Sequence, residues 1–185
     1  MIEAEVKVKS NIEDIRILLE NKGYIKVRSV YEKDTYFNSD YVDLKENDKA
    51  LRIREYRHLD SGITRYILNY KGPKLDDITM SREETEFEIP SFIHGNVLLT
   101  GLGYHEAGHV DKTRTVYKKN DISCCLDQVT GLGEFLEIEI LTDKSGYSLA
   151  INRIEEVLKE LGLSIQDSIK ESYLCMLQKK EGLYE

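Results

Sequence analysis

The chain has 185 residues, 32% of them charged and 41% hydrophobic, with a formal net charge of −8. That is globular composition, long enough for a real core, so residues 1–185 are expected to form a single domain. The acidic balance argues against a nucleic-acid binder, which needs a basic footprint. No apolar run approaches the ~20 residues of a membrane span and no signal-type segment follows Met1, so a soluble cytoplasmic protein with no membrane partner is expected.

Ile2-Glu3-Ala4-Glu5-Val6-Lys7-Val8 alternates apolar and charged residues, the pattern of a strand with one buried face. Asn11 is placed to cap a helix through Ile12, Ile15, Leu18 and Leu19, which Gly23 ends. Tyr24 to Phe37 is extended, and Asn38 to Lys49 is polar and turn-rich, a connection. Ala50 to Arg54 alternates, His58 to Gly62 supplies a turn, and Thr64 to Lys71 is a strand broken by Gly72-Pro73. A mobile loop through Asp76 and Asp77 leads to Ser81, after which Arg82, Glu84, Glu86 and Glu88 share one strand face until Pro90.

Ser91 to Leu102 predicts a short helix. Val110 to Tyr117 and Ile122 to Asp127 predict strands joined around Lys119-Asn120-Asp121, and Gly131-Leu132-Gly133 turns into a strand from Phe135 to Leu141. Two helices close the chain, Ser145 to Leu161 and about Ser168 to Lys179. About eight strands with short turns and flanking helices predict an α+β fold, with the strands antiparallel and able to close into an eight-stranded barrel. The three cysteines, Cys124, Cys125 and Cys175, have neither disulfide nor zinc spacing and are expected as reduced thiols.

The charged faces carry the functional signal. Glu3, Glu5 and Lys7 share one face, as do Arg52 and Arg54, Arg82, Glu84 and Glu86, Lys112 and Arg114, and Glu137 and Glu139; Lys71 ends its strand. Any one such strand reads most simply as a solvated sheet face. Five of them differ, because the opposite faces are largely apolar and the terminal helices need an apolar partner. The charged faces then point into the barrel. Confining both signs costs several kcal/mol per ion unless paired. A ligand that needs both signs accounts for the cost: basic side chains grip polyphosphate oxygens and clustered carboxylates hold Mg²⁺ or Mn²⁺.

The ordered set Glu3-x-Glu5-x-Lys7, Leu51-Arg52-Ile53-Arg54, Lys71-Gly72-Pro73, Arg82-x-Glu84-x-Glu86, Lys112-x-Arg114, Asp127 and Gly131-Leu132-Gly133-Glu134-Phe135-x-Glu137-x-Glu139 resembles the CYTH superfamily, or triphosphate tunnel metalloenzymes. The resemblance runs from residue 2 to Tyr173. Asp34-Thr35-Tyr36-Phe37, Leu-Arg-Ile-Arg and Leu102-Gly103-Tyr104 look most like the class IV adenylyl cyclase branch, with thiamine triphosphatases nearby.

It implies an eight-stranded antiparallel tunnel with helices outside. It implies that Glu3, Glu5, Asp127, Glu137 and Glu139 hold Mg or Mn, and that Lys7, Arg52, Arg54, Lys71, Lys112 and Arg114 grip a triphosphate. Glu5, Lys7 and Glu137 then sit at the chemistry, and Arg82, Glu84 and Glu86 support it. The implied ligand is ATP, inorganic triphosphate or thiamine triphosphate. The implied reaction is ATP cyclisation to cyclic AMP and pyrophosphate; hydrolysis of a triphosphate, or polyphosphate binding without catalysis, are the alternatives. The oligomeric state is open between monomer and homodimer.

Some motifs point elsewhere. His105-Glu106-Ala107-Gly108-His109 matches the zinc-protease H-E-x-x-H pattern, which needs a stable helix. Glycines 101, 103 and 108 argue instead for a connection into the Lys112 strand. Gly131-Leu132-Gly133 precedes a strand, so it is a turn rather than a phosphate loop. His58 and His94 are expected at the surface, and a tyrosine near the tunnel mouth could stack on a base.

Overall fold

The apolar side of the first strand faces outward, not inward. In the computed structural model, which describes residues 1–182, Ala4, Val6 and Val8 are fully buried against helices, while Glu5 and Lys7 on the opposite side are equally enclosed. The chain runs β1 (Ile2–Lys9), α1 (Ile12–Asn21), β2 (Ile25–Ser39), β3 (Ala50–His58), β4 (Thr64–Lys74), β5 (Arg82–Ile89), α2 (Phe92–Gly101), β6 (Tyr104–Lys119), β7 (Ile122–Val129), β8 (Gly133–Thr142), α3 (Tyr147–Glu160), a 3₁₀ turn (Ile165–Asp167) and α4 (Tyr173–Lys180). The eight strands close a barrel in the order β1-β5-β4-β3-β2-β6-β7-β8, every pairing antiparallel. This is the α+β barrel that the alternation predicts. No helix among the described residues is long and apolar enough to cross a membrane.

Two apolar clusters hold α1, α2 and α3 on the outer face of the barrel, and a third seats α4 across one end of its interior. The largest packs Ile15 and Leu19 of α1 and Ile154 and Leu158 of α3 onto the outer faces of β1, β7 and β8. Tyr173 and Leu174 of α4 join Val110, Val129 and Phe135, and Leu99 of α2 joins Ile53 and Leu68. Burying these side chains is worth roughly 1.5–3 kcal/mol each, which offsets a polar interior. Asn11 caps α1 through the N–H groups of Glu13 and Asp14 at 3.0 and 3.1 Å, as its position predicts.

Several boundaries differ from the sequence expectation. Gly72-Pro73 does not end β4; the strand continues to Lys74 through an irregular register. The segment expected to be a mobile loop is pinned. Asp76 accepts hydrogen bonds from the N–H groups of Ile78 and Thr79 and from the hydroxyls of Thr79 and Tyr147, and Thr79 and Ser81 are fully buried. Ser81 Oγ accepts from Glu5 N–H, and Met80 N–H donates to Glu5 O, both at 3.0 Å. This segment therefore continues the short β5 edge along β1, where the direct pairing has only two residue pairs.

β6 begins at Tyr104, so His105 to His109 is strand and not a connection. Four residues of strand separate the two histidines by about 13 Å, which no single zinc ion bridges. α4 starts at Tyr173 rather than Ser168, because the preceding residues lie along β1, with Ile169 N–H donating to Lys7 O at 2.8 Å.

Candidate active site

The barrel encloses a cavity of about 380 Å³. Nine lysines and arginines line it against seven carboxylates, and the buried Asp34 and Asp127 behind the lining pair with four of those basic side chains. The period-two geometry of the strands does this: β1 contributes Glu3, Glu5 and Lys7, β3 Arg52 and Arg54, β6 Lys112 and Arg114, and β8 Glu137 and Glu139. Lys71, Arg82, Glu84 and Glu86 complete the wall from β4 and β5.

On one wall, Arg54 grips Asp34 with two N–H groups at 2.6 and 2.8 Å and reaches Glu32 at 3.0 Å. Arg52 shares Asp34 at 3.2 Å and Tyr36 Oη at 3.3 Å. Burial alone would raise Glu32, yet Arg54, Lys112 and Arg114 hold it down at about 2; Asp34 is held low in the same way by Arg52 and Arg54. Glu32, Asp34 and Tyr36 escaped the charge-pattern reading. Their spacing, two residues apart on β2, was the available signal, but Lys33 and Thr35 blur it.

On the other wall Arg114 donates to both oxygens of Asp127 at 2.6 Å, to Glu139 at 3.0 Å and to Glu137. Lys112 reaches Asp127 at 2.8 Å and Glu32 at 3.3 Å, and Tyr173 Oη donates to Asp127 at 3.2 Å. Asp127 is fully buried with both oxygens taken and does not line the cavity. It sits where it orients Arg114 and Lys112, rather than where it could reach a metal beside Glu137.

Lys71 lies 2.6 Å from Glu3, 3.4 Å from Glu84 and 3.6 Å from Glu5. Burial alone would raise Glu84, yet Lys71 and Arg52, with hydrogen bonds from Glu3 and Asn69, together hold it at about 2. Arg82 supports from the rim: it donates to Gly72 O at 2.6 Å and Asp48 Oδ1 at 2.8 Å. Asn69 donates to Glu84 and, at 3.4 Å, to Glu86. At the end near α4, Lys7 donates to Glu171 O and lies 4.4 Å from the centroid of the Tyr173 ring, with Lys112 at 5.2 Å from the same ring. Burial lowers the Lys7 ammonium against the pull of Glu137 and Glu5.

The donor chemistry suits a divalent cation beside an anion. Glu5 and Glu139 are register partners across β1 and β8. Burial pushes Glu139 up to about 8 despite Arg114, and Glu3, Glu137 and Glu5 add to the rise. Glu3 and Glu5 are raised as well, again by burial first. Hard carboxylate oxygens short of positive charge fit Mg²⁺ or Mn²⁺. As the side chains lie, they turn toward Lys71 and Arg114, and among the described residues no three His, Cys, Asp or Glu converge at metal-ligand spacing. For the anion, Arg52 Nε is a buried donor without a partner in this wall.

A CYTH domain model matches residues 1–173. The chain belongs to the CYTH family. The CYTH chain is 36% identical to a Methanocaldococcus jannaschii protein provisionally named an adenylate cyclase, over 94% of this chain and 97% of that one. It is 26% identical to the adenylate cyclase CyaB of Aeromonas hydrophila, over 80% and 73%. Among solved structures, a Pyrococcus horikoshii OT3 protein superposes with a TM-score of 0.87 at 34% identity, covering 96% of this chain and 99% of its own. A Hippeastrum protein, a cyclase candidate described as having a dominant triphosphatase activity, shares the CYTH fold at 22% identity, TM-score 0.69, over 97% and 95%.

Proposed function

We propose that this CYTH protein is a divalent-metal-dependent enzyme acting on a triphosphate, with ATP cyclisation to cyclic AMP and pyrophosphate as the favoured reaction. One observation carries the reading: a set of converging basic side chains and a crowded carboxylate group share a single cavity of about 380 Å³. Lys7, Arg52, Arg54, Lys71, Lys112 and Arg114 bind the phosphate oxygens. Pre-set donors of this kind stabilise charge that develops on those oxygens as the phosphorus–oxygen bond breaks. Their carboxylate partners fix each guanidinium before substrate arrives, so little orientation is lost on binding.

Glu3, Glu5, Glu137 and Glu139 are the residues to hold the metal, with Asp127 reassigned to positioning Arg114 and Lys112. When bound, the metal supplies positive charge to the phosphates and lowers the pKa of the attacking hydroxyl. Tyr173 and Lys7 close one end of the cavity and keep bulk water from that side of the phosphates. Exclusion of water favours attack by the substrate's own 3′-hydroxyl over hydrolysis.

The second reading is triphosphate hydrolysis, which the same grip serves and which the description of the Hippeastrum relative favours. Incubation with ATP and Mn²⁺ or Mg²⁺, with products resolved chromatographically, separates them. Cyclic AMP and pyrophosphate are expected. Phosphate release without cyclic AMP would transfer the assignment to a hydrolase. Inactivity with retained triphosphate binding would leave a binding module.

A further inference from the structure

Apart from Lys7, which donates to the Glu171 carbonyl, the basic side chains deep in the tunnel are tied to carboxylates, but two at its open end are not. Arg28 of β2 and Arg65 of β4 line the same cavity, and among the described residues neither lies within ion-pair distance of a carboxylate. Arg28 instead covers the ring of Tyr56, 5.7 Å from its centroid, and Tyr56 meets His58 edge-on at 5.2 Å. Tyr56 and Arg65 are register partners across β3 and β4, so their side chains rise side by side at the mouth, with Ile67 just inside. The carboxylates nearby are engaged: Asn69 donates to Glu86, and Glu32, beside Tyr56 in the β2–β3 register, is held by Arg54 and Lys112.

An exposed guanidinium without a partner costs little and would mean nothing alone. Its position matters here. A phosphate chain gripped by Arg54 and Arg114 directs the rest of the molecule toward this end, because Tyr173 closes the other. The mouth then offers a flat aromatic face, an apolar wall and two planar sets of N–H donors.

We infer that Tyr56, Arg28 and Arg65 form a collar that selects the organic end of the substrate, accepting a flat uncharged heteroaromatic group and rejecting a cationic one. The inference rests on the triphosphate reading and narrows it to nucleoside triphosphates. A base stacks on Tyr56 and presents its acceptor edge to Arg65. A thiazolium ring, as in thiamine triphosphate, carries positive charge into the field of both arginines and is repelled.

Titration calorimetry with ATP, inorganic tripolyphosphate and thiamine triphosphate tests this on the whole chain. Wild-type protein is expected to bind ATP more tightly than thiamine triphosphate. Tyr56→Ala weakens ATP by roughly tenfold, about 1.4 kcal/mol, and leaves tripolyphosphate unchanged. Tyr56→Phe keeps the ring and keeps ATP affinity, which separates stacking from a folding defect. Arg28→Glu with Arg65→Glu narrows the gap between thiamine triphosphate and ATP. If Tyr56→Ala weakens ATP and tripolyphosphate alike, or neither, the collar is wrong while the triphosphate reading stands. Thiamine triphosphate bound by wild type as tightly as ATP has the same consequence. Absence of saturable tripolyphosphate binding removes the triphosphate reading, and the collar with it.

Discussion

Arg114 faces three carboxylates at once, and the inequality among them sets the titration of the site. Asp127 receives two of its N–H groups, and Glu137 also has Lys112, Lys7 and Lys71 nearby, which hold it well below the carboxylate range. Glu139 has Arg114 alone against burial and neighbouring glutamates, and stands near 8. A cation that uses Glu139 must displace its proton, so affinity climbs with pH below that value, by up to about tenfold per unit. Mn²⁺ is therefore expected to raise the melting temperature far more at about pH 9 than at about pH 6, and Glu139→Gln to flatten the difference. Equal Mn²⁺ shifts at both pH values in wild type would remove Glu139 from the metal set. Asp127→Asn is expected to behave differently from the lining carboxylates. It leaves two buried cations short of charge and costs about 3–5 kcal/mol in urea unfolding, the price of breaking a buried pair.

Helix α4 reaches the barrel because β6 has a glycine where the helix crosses it. Gly108 adopts φ +150, opposite a register shift in β2, and a Cβ there would meet Leu174 Cδ1 at 2.6 Å. Gly108→Ala is expected to destabilise by about 1–3 kcal/mol, chiefly because φ +150 strains a residue with a Cβ, and to shift Leu174 and with it Tyr173 at the tunnel end. Urea melts and tripolyphosphate affinity should fall together; loss of stability with unchanged affinity would mean that α4 does not shape the site. The same glycine made β6 hard to see in the sequence, where Gly103 and Gly108 around a literal H-E-x-x-H suggest a connection. The clean strands, β1, β3 and β8, were legible because one face is charged and the other apolar. β2 reads as extended over Tyr24 to Phe37, but Lys33 and Thr35 on its second face are polar as well, so Glu32 and Asp34 did not stand out as an interior pair. Asp76 looked like loop composition because its work is tertiary: the Tyr147 hydroxyl that meets it comes from α3, about 70 positions later.

At the scale of the whole molecule, the barrel holds charges of both signs inside it, and the two sets of interior carboxylates pull stability in opposite directions with pH. Glu32 and Glu84 have folded pKa values near 2, below the ordinary 4.5, so their contribution is complete above 4.5 and is lost as pH falls from there toward 2. Glu139, near 8, is raised, so the fold prefers its protonated form; that contribution is complete below 4.5 and is lost as pH rises toward 8. The metal-free protein should thus lose stability on both sides, each limb on the order of a few kcal/mol. Mn²⁺ with tripolyphosphate should restore the alkaline limb, because the ionised Glu139, Glu5 and Glu3 gain a cation, and should leave the acid limb in place, since Glu32 already has Arg54 and Lys112. Calorimetric melts across pH, with and without the ligands, measure both limbs. A metal-free melting temperature that climbs steadily from about pH 5 to about pH 9 would show that the carboxylates of β1 and β8 are not short of positive charge, and with that the physical case for a metal between them would fall.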